Sequence, residues 1–279
     1  MLCWILLGCL ISCATCIKPE PRIAGGTEVK NRSKFAYQAA LLYKGVPFCG
    51  GTIIDERHIL TAGNCCKPNL KLLVKPSEVA VAVGNLNLYD TSNVKRVQNV
   101  FIHESYDPVT LANNIAVLRI SGSFNKWTDD IRPINLTTTN LVNNTTCTVS
   151  GWGTTLDTID DMNSKLLYAE VPIVDWETCN KAYSAFTYPI GDKAICAGTT
   201  GKDFCQGDNG GPLVCDNSLA GIISFGYGCS YKNYPSVYTE VSKYLKWIED
   251  QKTRPSSWAE SKETTFLLLL LLLKICYIL

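Results

Sequence analysis

The sequence is poor in histidine and in net charge. Its 279 residues contain two histidines, and 26 lysines and arginines stand against 25 aspartates and glutamates. This balance gives no electrostatic reason to expect nucleic acid or an anionic membrane as a partner. Two histidines also leave a zinc cluster short of ligands. We therefore expect no metal site and no cofactor.

Cysteine, in contrast, is abundant. Fourteen cysteines in a chain of ordinary hydrophobicity point to an oxidising compartment, where disulfides persist. The N-terminal run "MLCWILLGCLISCA" is apolar, ends in small residues and is shorter than the ~20 residues of a membrane-spanning helix. We predict a signal peptide over residues 1–14, or to residue 16, and hence secretion.

The C-terminal run is apolar as well. "FLLLLLLLKICYIL" occupies residues 266–279 behind a polar spacer, residues 253–265. This layout is typical of a glycolipid (GPI) attachment signal, with Ser257 as the candidate lipid anchor site. A marginal tail anchor and a disposable tail are the alternatives. We expect the protein in the extracellular space or on the outer face of the cell membrane.

Short apolar segments separated by turn-forming residues fill the middle of the chain. Stretches such as "EVAVAVGNLN" and "LAGIISFGYGC" are bounded by Gly, Asn and Asp, which predicts an all-β fold. A helical period appears only near the end, which predicts one closing helix with Val241, Tyr244, Leu245 and Ile248 on its apolar face.

Four sequons for N-linked glycosylation mark loops that would be exposed in a secreted chain. They are Asn31, Asn135, Asn143 and Asn144. Three of them lie in the stretch "NLTTTNLVNNTTCT", where chance alone supplies several. We therefore predict glycosylation of this region rather than of each site.

Six ordered motifs resemble those of trypsin-like serine proteases of the chymotrypsin fold. They are "RIAGG" (22–26), "CGGTIIDERHILTAGNCC" (49–66), "NNIAVL" (113–118), "SGWGTT" (150–155), "GKDFCQGDNGGPLVC" (201–215), and "SFGYGC" with "YPSVYTEV" (224–241). The resemblance implies a short activation peptide, residues 15–22, before a protease-like domain, residues 23–252. It also implies two packed antiparallel six-stranded β-barrels with a cleft between them and a C-terminal α-helix.

The resemblance further implies four disulfides. The pairs are Cys49 with Cys65, Cys147 with Cys215, Cys179 with Cys196, and Cys205 with Cys229. The sequence alone could not have selected them, because eight cysteines allow 105 pairings. Cys66 is left over, either free or paired with Cys16.

The resemblance assigns catalysis to three positions, and all three hold asparagine. The family's histidine falls on Asn64, its aspartate on Asn114 and its serine on Asn209. The reaction needs a serine that attacks, a histidine that takes its proton and an aspartate that orients the histidine. An amide exchanges no proton near neutral pH, so we predict no functional catalytic residue. His58 and His103 are predicted to be structural.

Other features of the family's active site are kept in this sequence. The backbone N–H groups of Gly207 and Asn209 match the family's oxyanion hole, which does not depend on the side chain. Ser224 matches the serine whose hydroxyl contacts the aspartate of the triad. Both features can also persist because the fold needs them.

The activation site is kept too. Cleavage after Arg22 would free the ammonium group of Ile23, and Asp208 matches the acid that pairs with it in active family members. A buried ion pair of this kind orders loops when it forms. We predict that cleavage turns a flexible form of residues 201–211 into a rigid one.

In the specificity pocket, some residues match the family and others are replaced. Asp203 matches the acid that selects lysine and arginine side chains, and Gly226 matches an open wall. Phe204 and Ser236 replace smaller residues, and Phe225 replaces a tryptophan. We expect a narrowed pocket in which Asp203 is partly covered. The alternative is that Phe204 swings aside and a basic side chain still binds.

Two surface loops carry no ligand signature. "GNLNLYDTSN", from Gly84, has one carboxylate, too few hard oxygen ligands for calcium. The basic stretch "KPNLKLLVK", residues 67–75, is interpreted as a solvated face.

The predicted function is a non-catalytic binding or regulatory role outside the cell. Expected partners are extracellular proteins, namely proteases, inhibitors or receptors, and a monomer is expected. The alternative is a trypsin-like endopeptidase with residual or unrecognised activity. Adhesion through a membrane-attached tail is compatible with the first function.

Overall fold

The computed structural model describes residues 26–154, 164–186, 190–198, 204–205, 207–228, 231 and 233–255. The strands in these ranges are β1 (Thr27–Glu28), β2 (Gln38–Tyr43), β3 (Val46–Ile53), β4 (His58–Thr61), β5 (Val79–Val83), β6 (Val94–Ile102), β7 (Ala116–Ile120), β8 (Asn135–Leu136), β9 (Thr146–Gly151), β10 (Leu167–Val174), β11 (Ala194–Ala197), β12 (Pro212–Cys215), β13 (Ser218–Phe225) and β14 (Ser236–Glu240). The α-helices are α1 (Gly63–Cys66), α2 (Trp176–Tyr183) and α3 (Leu245–Thr253). Short 3-10 helices cover Arg32–Phe35, Pro76–Glu78 and Val241–Tyr244.

The first barrel closes six antiparallel strands in the order β2-β3-β4-β7-β6-β5. Strand β5 pairs back onto β2, with Val83 opposite Ala39. Apolar residues recur along these strands because the barrel has an inside to fill. Leu41, Ile59 and Leu118 are fully buried in its core.

The second barrel closes β9 to β14 in the order β10-β11-β14-β13-β12-β9, with β9 paired back onto β10. Strand β1 extends this sheet beside β10, and β8 joins β13 in parallel. Strand β10 shows the two-residue period of a half-buried strand, since Leu167, Ala169, Val171 and Ile173 are buried. The prediction of two six-stranded barrels is confirmed.

The predicted closing helix is also confirmed. It starts as the 3-10 turn Val241–Tyr244 and continues as α3. Although it follows the last strand of the second barrel, Val241, Tyr244 and Ile248 are buried in the core of the first. The helix therefore ties the barrels together. No helix among the described residues has the length and apolar character needed to cross a membrane.

Three of the four disulfides implied by the resemblance are present. They are Cys49–Cys65, Cys147–Cys215 and Cys179–Cys196. Cys205 is also disulfide-bonded, and its expected partner, Cys229, lies outside the described residues. The Cys66 thiol is free and buried, and burial raises its pKa to about 12. Cys16, its alternative partner, lies outside the described residues.

Candidate functional site

The three asparagines at the positions assigned to catalysis lie at the seam between the barrels. Asn64 lies on α1, Asn114 leads into β7, and Asn209 lies in the turn before β12. The backbone N–H of Gly50 donates to the carbonyl of Asn209 at 2.8 Å, which joins the first barrel to this turn. Gly210, at φ +79°, permits the close approach, because a Cβ there would overlap the carbonyl of Gly50.

Hydrogen bonds fix the side chain of Asn114 at both ends. Its Oδ1 accepts from the backbone N–H of Asn64 at 2.8 Å, and its Nδ2 donates to Ser224 Oγ at 2.8 Å. Thr239 Oγ1 donates to its backbone carbonyl at 2.8 Å. Asn114 is fully buried, so these partners replace the water it has lost. Ser224 thus makes the contact that the resemblance implies, but to an amide.

The other two asparagine side chains are less constrained. Asn64 and Asn209 are both partly exposed. The Oδ1 atom of Asn64 is buried and has no hydrogen-bond partner among the residues that the structure describes. Amide groups at these three positions can donate and accept hydrogen bonds, but they cannot accept a proton near neutral pH. The three positions therefore supply hydrogen-bonding groups but no proton acceptor.

A buried acid anchors the turn that carries Asn209. Asp208 Oδ1 accepts from the backbone N–H of Gly153 at 2.7 Å, and Oδ2 accepts from the backbone N–H of Cys205 at 3.0 Å. Gly207, at φ +95°, sits in the left-handed region that the turn requires. The ammonium of Ile23, the predicted partner of Asp208, lies outside the described residues.

Both bulky replacements in the specificity pocket face the same wall. Phe204 is buried and meets the ring of Tyr238 edge-on at 5.6 Å between centroids. A Cβ added to Gly226 would lie 3.1 Å from Ser236 Oγ and 3.7 Å from Phe204 Cζ. The side chains of Phe204 and Ser236 therefore occupy space in front of Gly226. Asp203 lies outside the described residues, so its covering stays a prediction.

An aromatic cluster that the sequence motifs did not predict lies beside this pocket. The ring of Tyr183 on α2 contacts those of Phe186, Phe225 and Tyr234, with centroids 5.7 to 5.9 Å apart. Its hydroxyl donates to the carbonyl of Pro235 at 3.0 Å. The dense run of aromatic residues between positions 225 and 234 was the available signal. The cluster holds the loop after β13 against α2.

His58 belongs to a structural network that begins six residues before Asn64. Its Nδ1 lies 2.8 Å from Asp55 Oδ1, and its Nε2 accepts from Arg119 Nε at 3.1 Å. Because Nε2 accepts, the ring proton is on Nδ1 and points to Asp55. Arg119 Nη2 also donates to the carbonyls of Gln251 and Lys252, at 3.1 and 3.0 Å. The network therefore holds the C-terminal end of α3.

The carboxyl group of Asp55 is the most perturbed acid in this network. Burial alone would raise its pKa, but hydrogen bonds from His58 and the backbone N–H of Arg57, with the charge of Lys252, lower the pKa to about 2. His103 lies elsewhere and stacks edge-on against Tyr244 at 5.5 Å. Both histidines thus occupy structural positions.

The other candidate residues are either exposed or outside the described part of the chain. The sequon residues Asn31, Asn135, Asn143 and Asn144 are all exposed, and their glycosylation stays a prediction. Arg22, Ile23, Asp203, Cys229 and Ser257 lie outside the described residues. Within the described ranges, no group of three or more His, Cys, Asp or Glu side chains is placed to hold a metal ion.

Comparison with known proteins agrees with this architecture. The Trypsin family model matches residues 23–248. Trypsin beta of Drosophila erecta is 37% identical over 229 residues, which cover 82% of this chain and 88% of that protein. Trypsin alpha-4 of Lucilia cuprina is 37% identical over 256 residues, covering 89% of this chain and 97% of that protein. Trypsin II-P29 of Gallus gallus is 35% identical over 234 residues, covering 83% and 89%.

A solved structure gives the same result. Neuropsin, a serine protease expressed in the limbic system of mouse brain, is similar to this chain with a TM-score of 0.72 and 32% identity. The match covers 81% of this chain and 98% of the neuropsin chain. By family model, sequence and fold, this chain belongs to the trypsin-like serine protease family.

Proposed function

We propose that this trypsin-family member is a non-catalytic binding or regulatory protein that acts outside the cell. The observation that carries the proposal is the presence of three neutral amides, on Asn64, Asn114 and Asn209, at the seam between the barrels. The Asn114 side chain is hydrogen-bonded to the backbone of Asn64 and to Ser224, and none of the three amides can act as a general base.

The magnitude of the expected loss decides between binding and catalysis. Removing the nucleophile of a subtilisin-type enzyme costs about 10⁶-fold in kcat, and removing the whole triad costs about the same. The roughly 10³ to 10⁴-fold acceleration over water that remains comes from the oxyanion hole and substrate binding. The backbone N–H groups of Gly207 and Asn209 are suited to supply this remainder, which is too small for a working endopeptidase.

The proposed partners are extracellular proteins: proteases, protease inhibitors or receptors that recognise a protease-shaped surface. Phe204 and Ser236, which face Gly226, support recognition that does not depend on a basic side chain in the pocket. Secretion through residues 1–14, glycosylation of exposed sequons, membrane attachment through residues 266–279 and a monomeric state belong to the same proposal.

An activity assay tests the central part of the proposal. Protein cleaved after Arg22 is incubated with a fluorophosphonate probe and with fluorogenic arginine and lysine peptides, beside an active trypsin. We expect no labelling and no turnover above buffer. Turnover that falls in a matched Asn64→Ala/Asn209→Ala variant would be genuine and would contradict the proposal.

A specific observation favours the alternative, an endopeptidase with residual activity. Asp208 holds the turn through Gly153 and Cys205, so the backbone N–H groups of the oxyanion hole keep a defined position. This alternative requires turnover in the assay above, whereas the binding function requires none. The same preparation therefore distinguishes the two functions.

Calorimetry with benzamidine tests the pocket. Because Phe204 is packed in front of Gly226, we expect the unmodified protein to bind benzamidine at millimolar Kd or not at all. The variant Phe204→Ser should bind more tightly, since it removes the ring. Micromolar binding by the unmodified protein would show an open pocket and contradict this part of the proposal.

Two further experiments address partners and attachment. Affinity capture from extracellular fluid with the domain as bait identifies the bound protein. Release of the full chain from cells by a phosphatidylinositol-specific phospholipase supports the glycolipid anchor, and retention on treated cells contradicts it.

A further inference from the structure

A loop of the first barrel exposes three leucines. In this leucine loop, residues 67–75, the exposed fractions of Leu70, Leu72 and Leu73 are 70%, 52% and 61%. Val109, 55% exposed, lines a shallow groove together with Leu70 and Leu72. From its sequence alone the loop was expected to be a solvated basic face. The structure shows that four large aliphatic side chains are exposed there as well.

Defined turns hold both sides of this groove. Asn69 Oδ1 accepts from the backbone N–H groups of Lys71 and Leu72 at 2.9 and 2.8 Å. Asp107 Oδ1 accepts from the backbone N–H of Val109 at 2.8 Å. These local hydrogen bonds fix the turns that present the leucines to solvent. Contiguous apolar surface of this kind marks a contact with a protein or a membrane.

All charged residues of the leucine loop are basic. Lys67, Lys71 and Lys75 lie in it, and residues 67–75 contain no Asp or Glu. Segments that lie at a membrane interface combine apolar side chains, which enter the headgroup region, with lysines, which meet anionic lipid. The net charge of the whole chain, +1, does not reveal this local pattern.

The composition of the groove favours a membrane over a protein partner. Energetically dominant residues of protein interfaces are enriched in Trp, Tyr and Arg and poor in Leu and Val. The groove is lined by Leu70, Leu72, Pro108 and Val109 with Asn69 and Lys71, and no aromatic ring is among them. Aliphatic and basic side chains match a lipid surface better than a protein hot spot.

The end of the domain lies near the same loops. Arg254, one residue after α3, has its Nη1 atom 3.7 Å from Glu104 Oε1. Glu104 is five residues before Val109, which forms one side of the groove. The described chain thus ends beside the loop that carries Glu104 and, five residues later, Val109.

We propose that the leucine loop, together with Val109, is a membrane-contact surface that inserts its leucines into the headgroup region of an anionic bilayer. The contact depends neither on the catalytic state of the cleft nor on a lipid anchor. It therefore holds or fails separately from the proposed function.

The test uses residues 23–255, so that neither the apolar N-terminal run nor the apolar C-terminal tail contributes. This part contains both closed barrels and α3, and the Trypsin family model, which matches residues 23–248, lies wholly within it. It is sedimented with vesicles of phosphatidylcholine containing about 30% phosphatidylserine in about 0.1 M salt. We expect binding that weakens in pure phosphatidylcholine.

Paired variants locate the contact. Leu70→Ser/Leu72→Ser should weaken vesicle binding by about tenfold or more, because two aliphatic side chains no longer leave water. The control Val142→Ser/Trp176→Ser removes two exposed apolar side chains of the second barrel and should change nothing. Equal melting temperatures of the variants and the parent show that folding is intact.

Three outcomes would overturn the proposal. The first is that the parent chain does not bind vesicles. The second is that the leucine variant and its control bind vesicles equally well. The third is that replacing Lys67, Lys71 and Lys75 by Gln abolishes binding while the leucine variant still binds. Binding to cells that is lost after proteolytic removal of their surface proteins, without binding to vesicles, would assign the surface to a protein partner.

Discussion

Two side-chain networks flank strand β4, and they differ in what they can do with a proton. At the seam, Asn64, Asn114 and Ser224 form a neutral chain of hydrogen bonds. At the other end of the strand, His58 joins Asp55 to Arg119. A histidine–aspartate pair is thus present in this protein, but it holds a helix. The comparison shows that position relative to the cleft, rather than the presence of the pair, decides whether it is available for catalysis.

The networks also differ in their sensitivity to pH. The amides of the seam network keep the same charge over the whole accessible range, so its contribution to stability is constant. The Asp55 network contains a carboxylate whose pKa is lowered to about 2, so its contribution falls in acid. Variants of the seam network should therefore change reactivity, whereas variants of the Asp55 network should change stability and its dependence on pH.

The largest expected effect is on reactivity at the seam. Asn64→His/Asn114→Asp/Asn209→Ser restores the proton-transfer groups, and we expect it to react with a fluorophosphonate and to hydrolyse an activated ester after cleavage at Arg22. Asn64→His/Asn209→Ser keeps Asn114, whose Nδ2 donates toward Ser224 and would face the new ring. An amide donor there selects the wrong histidine tautomer, so the double variant should be slower by about 10⁴-fold in kcat.

Equal rates of the triple and double variants would show that Asn114 does not control the tautomer. The substrate is an activated ester because the Phe204 ring stays in the pocket and would obscure a comparison based on arginine peptides. The unmodified protein is the baseline for both variants.

The next effect concerns the stability of the second network. Arg119→Ala removes the donor to His58 and to the carbonyls at the end of α3, and its guanidinium also lies over the ring of Phe101 at 5.1 Å. We expect the free energy of unfolding to fall by about 3 kcal/mol, because a buried charged network is broken. Urea denaturation measures the change. Arg132→Ala, at an exposed ion pair with Asp129, should change it by less than about 0.5 kcal/mol.

A smaller effect is expected from acid. The folded pKa of Asp55, about 2, lies below its usual value, so ionised Asp55 stabilises the fold above pH ~4 and this stabilisation disappears as pH falls toward 2. Because the carboxyl group is partly solvated, we expect about 1 kcal/mol. Asp55→Asn should remove this part of the acid dependence. A variant whose stability falls with pH as steeply as that of the parent would contradict the assignment.

The smallest effect is expected at Asn209. Its side chain is partly exposed, so Asn209→Ala should change the free energy of unfolding by no more than about 0.5 kcal/mol. Asn114→Ala is the contrasting variant, since it leaves Ser224 and a backbone N–H without their partner and should cost about 2 kcal/mol. Chemical denaturation of both variants compares the two asparagines directly. Equal losses would mean that the seam asparagines form one structural unit.

Much of the fold was predictable because its signals are local or shared with a family. The period of Val241, Tyr244 and Ile248 predicted the closing helix, and their burial confirms it. The barrels and the disulfide pairs came from the resemblance. The spacing of apolar residues in the sequence gives neither the order of the strands around a barrel nor the choice among cysteine pairings.

The contacts of single side chains were harder to predict. Arg119 gives no sign in the sequence that it reaches the carbonyls of Gln251 and Lys252, more than a hundred residues later. The exposure of Leu70 and Leu72 was missed because apolar residues usually indicate a core, whereas here a turn at Asn69 directs them outward. Such features depend on tertiary packing and on local turn geometry.

The turn that holds Asn209 has a consequence for chemical ageing. Asparagine followed by glycine deamidates when the next backbone nitrogen attacks the side-chain amide carbon, closing a five-membered succinimide and releasing ammonia. Here the backbone N–H of Gly210 donates to the carbonyl of Ile223 at 2.9 Å, which holds that nitrogen away from the attack. The folded protein therefore protects its most labile dipeptide. Water opens the succinimide to aspartate or isoaspartate, so we expect these products at position 209 mainly in molecules that have unfolded.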